Sequence, residues 1–84
     1  MRIERDYRSL PLWLAREYLA EIGGEAESND DIRGENWRVT LREGEPIAIG
    51  ALHIGQIQII FEGDDATLAQ VVSAFEKKAL RAGG

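Results

Sequence analysis

Hydrophobic and polar positions alternate most clearly between residues 37 and 42. Trp37, Val39 and Leu41 interleave with Arg38, Thr40 and Arg42, the signature of a strand with one face buried. A second alternation follows Gly55: Ile57, Ile59 and Phe61 against Gln56, Gln58 and Ile60, ended by Glu62-Gly63-Asp64. A thinner period-two pattern over residues 2–7 sets Ile3 and Tyr7 on one face and Arg2, Glu4 and Asp6 on the other. Residues 47–54 read as one further strand, with Ile47, Ile49, Ala51 and His53 sharing a parity and Gly50 inviting a bulge. Glu25–Ser28 reads as a weak edge strand, followed by a polar turn from Asn29 to Gly34.

Two stretches have helical period. Leu10, Leu14, Tyr18 and Ile22 recur every fourth residue, widened by Ala15 and Leu19. Ser9 is the expected N-cap, Pro11 suits the first turn, and Gly23-Gly24 suits a left-handed C-cap. The last helix opens at Asp64 or Asp65 and carries Leu68, Val71, Val72, Phe75 and Ala79 on one stripe, with Lys77, Lys78 and Arg81 in its final turns. The order is β-α-β-β-β-β-α. The expected fold is a single α+β domain over residues 1–84, an antiparallel sheet with both helices on one face. Its expected core is Leu14, Tyr18, Trp37, Val39, Leu41, Ile57, Ile59, Phe61, Leu68, Val72 and Phe75.

Length limits what such a domain can do. A chain of 84 residues builds one thin core and leaves little room for an enclosed cofactor cavity. Ten basic and fifteen acidic side chains give a net charge of −5, which opposes binding to nucleic acid or an anionic membrane surface. No apolar run approaches a membrane span, the N-terminal residues lack the apolar core of a secretory signal, and cysteine is absent. A cytoplasmic location is the expectation.

Candidate chemistry is sparse. No phosphate-binding glycine loop follows a strand. His53 is the single histidine, and without cysteine it makes no typical zinc site; a packed or edge histidine is the plainer reading. Glu25, Glu27, Asp30 and Asp31 cluster at a turn, either as a divalent-ion site of hard oxygens or as a polar turn that blunts a sheet edge. The expectation is no enzyme, no catalytic residue, no metal and no cofactor.

Interaction is better supported. Trp13 lies nearly opposite the apolar stripe of its helix, where a tryptophan is an interface anchor or folds sideways over the helix start. The sheet face away from the helices would show Arg38, Arg42, Gln56, Gln58 and Ile60, with Leu52 and Ile54 joining them. These residues and Trp13 are the candidate partner-binding set, for a homodimer or a protein partner, with Glu27 pairing across the interface. The chain also ends in Gly83-Gly84, the chemical feature of ubiquitin-like sulfur carriers. Those carriers are β-grasp folds, and a helix C-cap with a frayed tail explains the glycines as well.

The segment Pro11-x-Trp13-Leu14-x-x-x-Tyr18-Leu19-x-x-x-Gly23-Gly24 resembles the start of the C-terminal domain of MoaD-related proteins. Ile49-Gly50-x-Leu52-x-Ile54, Gln56 and Glu62-Gly63 resemble its sheet core. The resemblance implies a TATA-binding-protein-like fold and a place beside a MoaD-type carrier in molybdopterin or sulfur-carrier chemistry, with no catalytic residue to carry over. Three functions follow: an interaction domain accessory to that chemistry, a small-ligand domain with a groove between helix and sheet, or a diglycine-tailed carrier.

Overall fold

The computed structural model describes residues 1–81. Strand β1 (Arg2–Arg8) leads into helix α1 (Leu12–Glu21), then β2 (Glu25–Ala26), β3 (Asp31–Gly34), β4 (Trp37–Glu43), β5 (Ile47–Ile49), β6 (Leu52–Ile54), β7 (Gln56–Gly63) and helix α2 (Asp65–Arg81). Five strands form an antiparallel sheet in the order β1-β7-β4-β3-β2; β5 and β6 form a separate hairpin. The two-layer α+β architecture matches the expectation.

The register explains the core. Ile3, Phe61, Val39 and Ile32 stand side by side across four strands, and Ile59 lies beside Leu41. This face buries Trp37, Val39, Leu41, Ile57, Ile59 and Phe61 against Ala15 and Leu19 of α1 and Leu68, Val72 and Phe75 of α2. Phe75 meets the rings of Tyr7, Phe61 and Tyr18 edge-on, with centroids 5.3, 5.9 and 6.1 Å away. Leu14 and Tyr18, expected inside, are half-buried and pack against the core margin. The fully buried positions on that helix are Ala15 and Leu19.

Four local expectations are corrected. Ser9 does not cap α1: Pro11 holds the cap position, and Ser9 takes a left-handed φ of 60° while its N–H donates to the Gly55 carbonyl at 2.9 Å. The segment read as a turn before Gly34 contains β3, which inserts Ile32 into the core. Residues 47–54 are not one sheet strand, because the chain reverses at Gly50-Ala51 with Gly50 at φ 60°. That reversal changes parity, so His53 pairs with Ala48, on the face opposite Ile47 and Ile49.

Gly23-Gly24 does end α1. Gly23 adopts φ 104°, its N–H reaching the Ala20 carbonyl and that of Gly24 the Leu19 carbonyl. Gly34 has a separate steric role. It faces Trp37 in register, and a Cβ there would fall 1.9 Å from the indole Cε2, so only glycine lets the ring lie across β3.

Asp64 opens α2: its carboxylate accepts from the Thr67 hydroxyl at 2.5 Å and the Thr67 N–H at 3.0 Å. These two bonds hold its pKa below the ordinary 3.8.

Two outcomes are expected from this packing. Phe75→Ala removes the ring that three others contact and should lower unfolding free energy by about 3–5 kcal/mol, read from denaturant melts. Asp64 binds its proton less tightly when folded, so its ionised form stabilises the fold above pH 3.8, and that gain is lost as pH falls through the lower folded value. The melting-temperature difference between wild type and Asp64→Asn should therefore be largest near neutrality and shrink in strong acid.

Candidate functional site

The uncovered face of the sheet is a set of charge ladders. One row runs Arg2, Glu62, Arg38, Arg33 and Glu25 across all five strands; the next runs Glu4, Ile60, Thr40 and Asp31; a third sets Asp6, Gln58 and Arg42 side by side. Opposite charges dominate neighbouring positions, which favours cross-strand pairing. Arg2 bridges Glu4 at 3.2 Å, and Thr40 donates to Asp31 at 3.3 Å.

This corrects the expectation that Ile60, Leu52 and Ile54 stand exposed among the polar residues of the open face. Ile60 is 3 % exposed. It sits between Glu4 and Thr40 with Gln58 and Glu62 two residues away on its own strand, and long polar side chains can shield an aliphatic group in this setting. Leu52 and Ile54 are not on the sheet at all. Glu27 pairs with Arg33 of its own chain at 3.0 Å, so it is not held free for Arg38 or Arg42 of another. The Gln56 amide donates to the Glu45 carbonyl at 3.1 Å and braces the base of the hairpin. Arg38 and Arg42 remain exposed.

Trp13 is in a different place. It is 61 % exposed on α1, in the helical layer, so the structure does not bring it together with the sheet-face candidates. It walls a groove of about 260 Å³ with Arg16, Glu17 and Ala20 of the same helix and with Ala26 and Ile32 at the sheet edge.

The β5–β6 hairpin was not legible as a separate surface. Ile47 pairs with Ile54 and Ile49 with Leu52, so all four aliphatic side chains share one face. Ile49 is 55 % and Leu52 67 % exposed. Among the described residues the hairpin makes no substantial contact with another element. At its base a hollow of about 330 Å³ lies between Ser9–Leu12, the residues Glu43, Gly44 and Pro46, and Gly55–Ile57, with Glu43 the single titratable group among its lining residues.

Among the described residues no group of three His, Asp or Glu is disposed to hold a metal ion. Within the acidic cluster, Asp31 is engaged by Ser28 and Thr40, and Glu27 by Arg33. His53 is exposed. No described helix is long and apolar enough to cross a membrane. The Gly83-Gly84 end lies outside the described residues.

The fold and surface therefore define a small two-layer α+β domain whose distinctive features are exposed apolar elements and a charge-laddered sheet face. Residues 3–84 match the family model described as Archaeal MoaD-like protein, and the chain belongs to that family. A search of curated proteins gives no match.

One buried group stands outside these surfaces. The Tyr7 hydroxyl is buried with no hydrogen-bond partner among the described residues. Burial first, and the Glu76 carboxylate second, push its pKa from 10.0 up to about 12, against the opposing effect of Arg5. The folded chain thus holds the phenolic proton more tightly than the unfolded chain does. The associated stability is complete below pH 10 and is lost as pH rises towards 12. Tyr7→Phe should melt no lower than wild type at neutral pH, since no hydrogen bond is lost. Its advantage should grow through that alkaline range in thermal melts.

Proposed function

We propose that this chain is a non-catalytic protein-interaction domain that serves sulfur-carrier chemistry in a cytoplasmic setting, with a MoaD-type carrier as its partner. Membership of the MoaD-like family supports the chemistry. The observation that carries the interaction is the β5–β6 hairpin, which sets Ile47, Ile49, Leu52 and Ile54 on one face, leaves Ile49 and Leu52 exposed, and makes no substantial contact with another described element. An isolated two-stranded hairpin is marginal in water, and an aliphatic face of this kind is stabilised when a partner covers it. A carrier domain fits because it must be held while its reactive end is worked on elsewhere, a task that needs a binding surface and no catalytic group.

The test is calorimetric titration of a purified MoaD-type carrier into the wild type, Ile49→Asp and Leu52→Asp, beside sedimentation of the chain alone. The wild type should bind, and each variant should lose at least about tenfold in affinity, as truncation of a buried anchor does. Their melting temperatures should hold, because both side chains are exposed. Absence of carrier binding by the wild type, or equal binding by both variants, ends the proposal. Concentration-dependent dimerisation abolished by Leu52→Asp would instead make a second copy the partner.

A further inference from the structure

The groove beside Trp13 has a backbone edge as one of its walls. Just beyond the paired residues of β2, the Glu27 N–H donates to the Asp31 carbonyl at 2.8 Å, so the backbone groups of this position point between β2 and β3. Antiparallel ladders alternate. The next pair, Ala26 with Ile32, is therefore the non-bonded kind, and the N–H and C=O of Ala26 face away from β3 towards the free edge. β2 is the last strand of the sheet on this side.

The same residue lines the groove. Ala26 shares its face with Ile32, the helix-covered face, and both border the 260 Å³ space under Trp13 and Ala20. A residue of an incoming strand placed opposite Ala26 would exchange both backbone hydrogen bonds with it. Its side chain would then point to the same face, into the groove. Arg16 also lines this groove, and its Nε is buried with no hydrogen-bond partner among the described residues.

Parity settles the neighbours. Residues opposite Glu25 and Glu27 would present their side chains on the other face, beside these two carboxylates. Glu27 already holds Arg33, and Glu25 has no ion-pair partner among the described residues. Glu25 is thus the carboxylate open to a partner's cation; an acidic side chain there is repelled.

We infer that the groove between α1 and β2 binds an extended segment of a partner protein, an apolar residue with a basic neighbour, added as a further strand on β2. Backbone pairing at Ala26 fixes the register, the space beside Trp13 takes the apolar side chain, and Glu25 selects the basic neighbour. This is recognition by strand addition, with pockets reading alternate side chains. It is independent of the hairpin surface.

The probe is a capped pentapeptide, threonine-lysine-leucine-lysine-threonine, titrated into the full chain. Binding is followed by the Ala26 amide in NMR and by tryptophan emission, which reports on exposed Trp13 while Trp37 is buried. The peptide should shift the Ala26 amide and move the emission to the blue, with affinity falling as salt rises. N-methylation of the leucine should abolish binding. Exchange of both lysines for glutamate, Trp13→Ala and Ala20→Gln should each weaken it about tenfold or more. Leu52→Asp should bind as wild type does, which separates this site from the hairpin. An unmoved Ala26 amide at concentrations on the order of millimolar, equal binding of the N-methylated peptide, or shifts confined to the hairpin would overturn the assignment.

Discussion

Phe75 is the point at which the two layers are joined. Its ring contacts Tyr7 of β1, Tyr18 of α1 and Phe61 of β7. Edge-to-face pairs add to the apolar area each ring buries. Because α2 reaches the sheet through this residue and α1 reaches α2 beside it, both helices are drawn to one side. The opposite side of the sheet is left without a cover. The charge ladders of that side follow from this: a five-stranded sheet packed on one face must satisfy the other with side chains that water and each other can serve.

How far the sequence exposes this plan depends on element length. β4 and the core-facing side of β7 carry three apolar residues each at period two, and both were readable, as was the stripe of α2. β3 offers only Ile32 among Asp31, Arg33 and Gly34. One apolar residue makes no period, so its burial becomes visible only when β4 supplies Val39 opposite. The stretch from Ile47 to Ile54 failed for a different reason. A two-residue reversal at Gly50-Ala51 shifts the parity, and Ile47, Ile49, Leu52 and Ile54, which look split between two faces of one strand, fall on one face of two.

The surface was legible in part for a similar reason. The exposure of Trp13 follows from its angle on the helix, fixed by local geometry. The fate of Ile60 does not, since it depends on Glu4 and Thr40, which lie 56 and 20 positions away in the chain and are brought beside it by pairing. The groove at Ala26 was beyond sequence reasoning altogether. It needs the alternation of a ladder whose strand is two residues long and the packing of α1 over its end.

The two edges of the sheet are defended differently, and that difference bears on where a partner can attach. Edge strands invite pairing, and charge along the strand is a common defence. β1 carries Arg2, Glu4, Arg5, Asp6 and Arg8. Pairing it with a second β1 centred on Arg5 would set Arg2 against Arg8 and Glu4 against Asp6, like against like, which disfavours self-association there. β2 has a shorter defence: two residues, one of them Ala26, with α1 standing beside it. Brevity prevents indiscriminate pairing because so little backbone is offered. The same brevity makes attachment depend on whatever a segment gains from Trp13 and Glu25, so this edge can be selective where β1 repels a second copy in that register.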